Sequence, residues 1–373
     1  MGRWVAFGMY LVVCAVVMAF LLVVPATGVR LTSDADDGRP VPPEPIPIPP
    51  PPIPLPGTNP LFRLLGRVAV EGPYVDRGLS VFVLVAREPE TTVNYLTFDE
   101  GTASGQIVVQ EVGAGSVPTL QVRNLSDRWA FLLAGELVAG GKQGRTVRED
   151  TLLPPHSATW INLPVYCIEQ HRWSAPGRFD SAKAAAPNAL RSGLNQGYDQ
   201  TRVWEEAKRA QESAGVASPT GDVTTVYTDA KTAGRIDEMT ARIIRSIPRC
   251  IPPREYVGLV VAHGRQIVSA DLFANSALYS KLYEKVIRSH VVELLGRDYA
   301  EHPTPAEVWA FLGRVYGAAF SRRPASNGVG QLAGLSGSGV AGQVLEYEGR
   351  CIHAAVFPQV VFPVPLPRPV PER

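Results

Sequence analysis

The chain has 373 residues, with 36 Lys and Arg against 35 Asp and Glu, for a formal net charge of +1. So even a balance gives no whole-chain basis for binding nucleic acid, and no such partner is expected. The length suffices for one large domain or two modest ones, each with a real core.

Residues 4–24 carry no charge and are almost continuously apolar. About 20 such residues span a bilayer as a helix, so this run predicts a transmembrane helix or signal anchor. Arg3 and the amino terminus lie on its short side, which places that end in the cytoplasm and the folded part outside it. The expected partner is therefore the membrane, and the expected location a single-pass protein of the cell membrane. The alternative is a cleaved signal peptide with a small-residue exit near Ala26, leaving a secreted or periplasmic product. Residues 31–58 are dominated by proline, which removes backbone donors and fixes φ. They predict a disordered, extended polyproline II stalk.

Residues 59–358 predict a single α+β domain, antiparallel and β-rich in its first half, helical with hairpins in its second. Short β-branched runs at 81–85, 106–109, 119–122, 129–133 and 159–168 are separated by turn residues. Residues 174–222 are rich in small and polar side chains, which predicts a loop or flap over a site, with a helix at 204–213. Ile236, Met239, Ile243 and Ile247 share a helical face. Residues 259–269 read as a hairpin turning near Gly264, and 278–295 as an amphipathic helix. Thr304, Pro305 and Glu307 form a helix start, with a side-chain cap and proline at the first helical position. Glycine-rich residues 328–342 predict a flexible loop, residues 344–357 a terminal hairpin, and 359–373 a proline-rich tail. The four cysteines, Cys14, Cys167, Cys250 and Cys351, include no CxxC pair. A structural zinc site is not expected, nor is any other metal or cofactor.

Two polar clusters interrupt the apolar strands. The turn from Gly140 to Arg145 carries Lys142, Gln143 and Arg145, which with backbone donors suit an anion. It lacks the phosphate-loop spacing and can equally be a hairpin with solvated charges. Glu136, inside the apolar run before it, is either a catalytic acid or half of an ion pair with Lys142 or Arg145. In a continuing strand, Cys167, Glu169 and His171 share one face. Cysteine beside histidine can make an activated nucleophile, against the plainer reading of a buried structural thiol. Asp271 ends a strand-like run, and His353 shares a strand face with Cys351. Both are candidate site residues, although a lone strand histidine is more often a satisfied core residue.

The blocks LLAGELVAGGKQGRTVREDTLLPP, PVYCIEQHRW, GRQIVSADLF and CIHAAVF together resemble the domain associated with ADP-ribosylglycohydrolases and rhodanese-type phosphatases. The resemblance runs from about residue 59 to 358. It implies company with nucleotide or ADP-ribose chemistry, but no established reaction. The matching positions are Glu136, Gly140, Gly141, Lys142, Gln143, Arg145, Cys167, Glu169, Arg172, Trp173, Asp271 and His353. His171 stands where the family pattern has a small residue, and His290 where it has tyrosine. Two functions follow as expectations. One is a membrane-anchored domain that binds a small anionic or nucleotide-derived ligand through Lys142, Gln143, Arg145, Arg172 and Trp173. The other is a hydrolase of a phosphate-containing or ADP-ribose-related substrate, with Glu136, Glu169, Asp271 and His353 as its acid–base groups.

Overall fold

The computed structural model describes residues 59–87, 91–174, 177–250, 254–325 and 328–359. The expected transmembrane helix at 4–24, the stalk at 31–58 and nearly all of the tail lie outside them. Among the described residues no helix is long and apolar enough to cross a membrane.

The first part of the domain runs α1 (Pro60–Leu65), β1 (Val68–Asp76), β2 (Leu79–Ala86), β3 (Leu96–Thr97), α2 (Phe98–Ala103), β4 (Ile107–Glu111), β5 (Thr119–Asn124) and β6 (Ala130–Leu132). Then come β7 (Glu136–Gly140), β8 (Arg145–Val147), β9 (Thr151–Leu153), β10 (Ile161–Cys167) and β11 (Phe179–Ala185). A helical stretch follows, with α3 (Asn188–Asn195), α4 (Gln200–Ala214), α5 (Thr225–Thr228) and α6 (Ala230–Ser246). The last part is β12 (Glu255–His263), β13 (Gln266–Phe273), α7 (Ser276–Leu294), α8 (Pro305–Gly313), β14 (Ala319–Pro324), β15 (Gln331–Gly337), β16 (Val340–Tyr347) and β17 (Arg350–Pro358). The class is α+β and mainly antiparallel, as the strand patterning predicts.

An eight-stranded antiparallel sheet has the order β1-β2-β12-β13-β17-β16-β15-β14. It joins strands from both ends of the domain, with Leu259 opposite Val83. Both faces are covered, which is why every residue of β2 is buried. Alternate side chains serve opposite cores. Val81, Val83, Leu259 and Phe273 meet Ile236, Leu282 and Val286 of α6 and α7. Phe82, Leu84, Val260 and Val356 meet Leu61, Val308 and Phe311 of α1 and α8. A six-stranded sheet, β11-β7-β8-β10-β5-β4, and a three-stranded sheet, β3-β6-β9, enclose a third core around Phe98, Leu120 and Val165.

Local expectations held where local chemistry decides. Helix α8 begins with the predicted capping box, Thr304 accepting from the Glu307 amide at 3.2 Å while Glu307 accepts from the Thr304 amide at 2.8 Å. Such a cap contributes about 1 kcal/mol. Two loop expectations failed. Residues 174–222 are not a flap, because β11, α3 and α4 lie there with Ala184, Ala186, Leu190, Val203 and Ala207 in the main core. Alanine is commonly buried in cores although its side chain is small. The glycine-rich run 328–342 forms β15 and the start of β16, anchored by Leu332, Leu335, Val340 and Ala341. The two turn residues between them, Ser338 and Gly339, both have positive φ, as a tight hairpin requires.

Candidate functional site

The β7–β8 hairpin carries the basic turn. Gly140 and Gly141 have φ of +102° and +55°, and a Cβ there would lie 2.1 Å from the Arg178 carbonyl oxygen and 1.9 Å from the Phe179 ring. Only glycine fits both positions. Arg145 follows into β8 opposite Val138 and Cys167, with no exposed surface. Its Nη1 donates to the carbonyls of Gln143 at 2.9 Å and Gly144 at 3.3 Å, while Nε and Nη2 meet no acceptor among the described residues. Gln143 is buried, donating to the Glu169 carbonyl at 3.1 Å and accepting from the Cys167 thiol at 3.0 Å. Burial pushes that thiol's pKa up, away from nucleophilic use. Lys142 is half-buried, with its ammonium 4.9 Å from the centre of the Trp173 ring. The turn thus presents Lys142, with Trp173 beside it, and keeps Gln143 and Arg145 inside.

Strand β10 ends at Cys167, so Glu169 and His171 do not continue one strand face with it as expected. The chain turns back toward the hairpin instead. Glu169 accepts from Arg172 Nε at 2.9 and 3.0 Å, from the Gly144 amide at 2.5 Å and from the Thr220 hydroxyl at 3.2 Å. Burial raises its pKa, but these donors outweigh burial and hold it below the ordinary carboxylate range. Arg172 also reaches the Gly141 carbonyl at 3.2 Å. This pair clamps the basic turn to the 218–222 segment, and His171 is left exposed.

Asp271 and His353 do meet. His353 Nδ1 donates to Asp150 Oδ2 at 2.6 Å, and its Nε2 lies 3.3 Å from Asp271 Oδ1. Asp271 in turn pairs with Arg191 of α3 at 2.5 Å. All four side chains are buried. Burial disfavours the imidazolium, but Asp150 and Asp271 outweigh it and push the His353 pKa up to about 9. Burial opposes the Asp271 carboxylate as well, yet Arg191 and His353 hold its pKa far below the usual range. Two carboxylates and two cations then balance inside the core. His353 does not share a face with Cys351, because a β-bulge opposite Leu345 and Glu346 inserts Ile352 between them. Cys351 points into the α1–α8 core, while His353 packs on Phe273, with ring centres 4.8 Å apart.

Glu136 is not paired with Lys142 or Arg145. Its partner is Lys285 of α7, which also contacts Asp99 at 2.8 Å. The Leu133 amide donates to Glu136 at 2.9 Å. Burial raises the Glu136 pKa despite Lys285, and Glu136 and Asp99 raise that of Lys285 against its own burial. The two networks meet at the Ala134-Gly135-Glu136 segment. The Ala134 amide donates to Asp150 at 2.8 Å, and a Cβ on Gly135 would lie 2.7 Å from Arg191 Cγ. Asp99, Asp150, Arg191 and Lys285 escaped the sequence reading. Lys285 left a trace, since it falls three residues after Leu282 on the apolar stripe of its helix. Asp99, Asp150 and Arg191 left none that spacing could show.

Glu169 thus shares no partner with Asp271 or His353, and Glu136 is linked to them only through the Ala134–Gly135 segment. None of the four lines either of two clefts, one of about 690 Å³ beside Gln170, His171 and Trp204, the other of about 770 Å³ beside Arg245, Tyr279 and Tyr283. Among the described residues no group of three His, Cys, Asp or Glu side chains is placed to hold a metal ion. Cys167 and Cys351 are buried free thiols.

No curated protein and no solved structure matches this chain. The description of one family does match, and over nearly all of the folded part. Its matched span contains the glycine turn, the Glu169–Arg172 clamp and both buried ion networks. The chain belongs to the family of the ARG and Rhodanese-Phosphatase-superfamily-associated Protein domain, matched over residues 67–357.

Proposed function

We propose that this chain is a membrane-anchored, extracytoplasmic binding domain for a small anionic or nucleotide-derived ligand. The observation that supports binding over hydrolysis is the state of the acid–base candidates. Glu136, Asp271 and His353 are buried in ion networks, and every partner of the Glu169 carboxylate is a donor that holds it ionised. A general acid or base must reach the proton it moves, in a cleft that holds the substrate. The recognition face is Lys142, Trp173 and the exposed part of Arg172, with Gln143 and Arg145 shaping the turn from beneath. Anchoring rests on the charge-free apolar run at 4–24.

A thermal-stability screen of the full chain in detergent tests the binding reading, using nucleotides, ADP-ribose and sugar phosphates. A stabilising ligand that is not consumed over hours supports it, and turnover of that ligand sinks it. For the anchor, the protein should stay in the membrane pellet through high salt and carbonate. External protease should then release a folded fragment by cutting in the stalk. A soluble mature product beginning near Thr27 would establish a signal peptide instead.

A further inference from the structure

The cleft between the end of α6 and the start of α7 has a volume of about 770 Å³, within the range of small-molecule sites. Three arginines border it, Arg245, Arg249 and Arg254, against one carboxylate, Glu255. Arg254 is paired with Glu71. Arg245 and Arg249 are exposed and pair with no carboxylate among the described residues. The N-terminus of α7 opens into the same cleft through Ser276, Ala277 and Ser280. Asn275 caps the Leu278 amide at 2.8 Å and its carbonyl accepts from the Tyr279 amide at 3.1 Å, so the Ser276 and Ala277 amides of this 19-residue helix meet no acceptor among the described residues.

The remaining wall is apolar and flat. Tyr279 and Tyr283 stack with ring centres 5.0 Å apart and planes 17° from parallel. Tyr283 is half-buried on the cleft side, while Tyr279 is 4% exposed and its hydroxyl has no partner among the described residues. A buried phenol without a partner is uncommon, because its donor loses water and gains nothing in return. Ile244 and Ile247 complete the apolar side. Cations and helix amides on one side and stacked rings on the other are complementary to one kind of molecule.

We propose that this cleft binds an organic anion with a planar aromatic body, such as a nucleoside monophosphate. The charged end meets Arg245, Arg249 and the first amides of α7, and the ring lies against Tyr283. The site uses none of the family's motif residues, and so goes beyond the recognition face at Lys142.

Calorimetric titration of the full chain with AMP, adenosine and inorganic phosphate tests it. AMP should bind at least tenfold more tightly than adenosine or phosphate, and more weakly as salt is raised. Replacing both exposed arginines, Arg245→Ala with Arg249→Ala, should weaken AMP at least tenfold and leave the melt unchanged. Tyr283→Leu keeps the apolar volume and should weaken AMP several-fold without altering phosphate binding. Absence of AMP binding overturns the site, as does AMP binding indifferent to the arginine pair. If a sugar phosphate stabilises the chain where AMP does not, or if Lys142→Ala alone abolishes AMP binding, the cleft proposal falls while the binding reading stands.

Discussion

Glu136 of β7 and Lys285 of α7 are paired deep inside the domain, 0% and 5% exposed, although each was free by sequence position to face water. Their contact joins the six-stranded sheet to the long helix. A buried pair is weak evidence of net stabilisation, but removing one partner strands a charge. Lys285→Met should therefore cost roughly 3–5 kcal/mol. Adding Glu136→Gln should restore much of that loss, because the stranded carboxylate is gone. Urea melts of the two single variants and the double variant measure it, and a strictly additive result would show that the two side chains do not interact.

The buried histidine makes stability depend on pH in a fixed direction. The His353 pKa rises from an ordinary 6.5 to about 9 in the folded protein, so the folded state holds this proton more tightly. Its contribution is fully present below about pH 6.5 and is lost as pH rises through about 9. Urea unfolding at pH 6, 7.5 and 9 should show declining stability across that window. The decline should be shallower in His353→Asn. An equally steep decline in the variant would assign it to other groups.

The glycine pair of the basic turn is a steric requirement as well as a conformational one. Gly141→Ala places a methyl group inside the Phe179 ring, at a positive φ. Strain of this kind costs roughly 1–3 kcal/mol before the clash is relieved. The melting temperature should fall by several degrees. A variant that melts like the parent would mean that β11 shifts freely, contrary to its register with β7.

The Glu169 carboxylate should report on the segment that it ties down. Glu169→Gln weakens the bonds to Arg172 and Gly144, each charge-assisted and of order 1.5–3 kcal/mol. The amides of Gln170 and His171, which donate to the Thr220 carbonyl at 2.9 and 3.1 Å, should then exchange faster with solvent. Unchanged exchange at these two amides would show that the clamp is dispensable.

Helix α4 should be among the slowly exchanging segments, because Val203, Ala207, Ala210 and Ala214 are buried along one side. Hydrogen exchange as fast there as at the exposed 297–301 loop would contradict this packing.

What the sequence determined by itself is local. Alternation with turn residues defined the hairpins now seen as β12–β13 and β16–β17, the cap at Thr304 defined α8, and one apolar face defined α6. The glycine turn and its polar flanks were equally plain, since each depends on neighbours a few residues away. The tertiary structure decided the partners. Strand β2 lies beside β12, Arg191 reaches Asp271, Asp150 reaches His353, and Lys285 reaches Glu136, all across long stretches of chain. Spacing can place a carboxylate on a strand, but it cannot say which distant cation the folded chain brings to it. That choice turned the sequence's acid–base candidates into interior ion pairs. It also set the exposed arginines of the α6 end beside the tyrosines of α7, where no local pattern pointed.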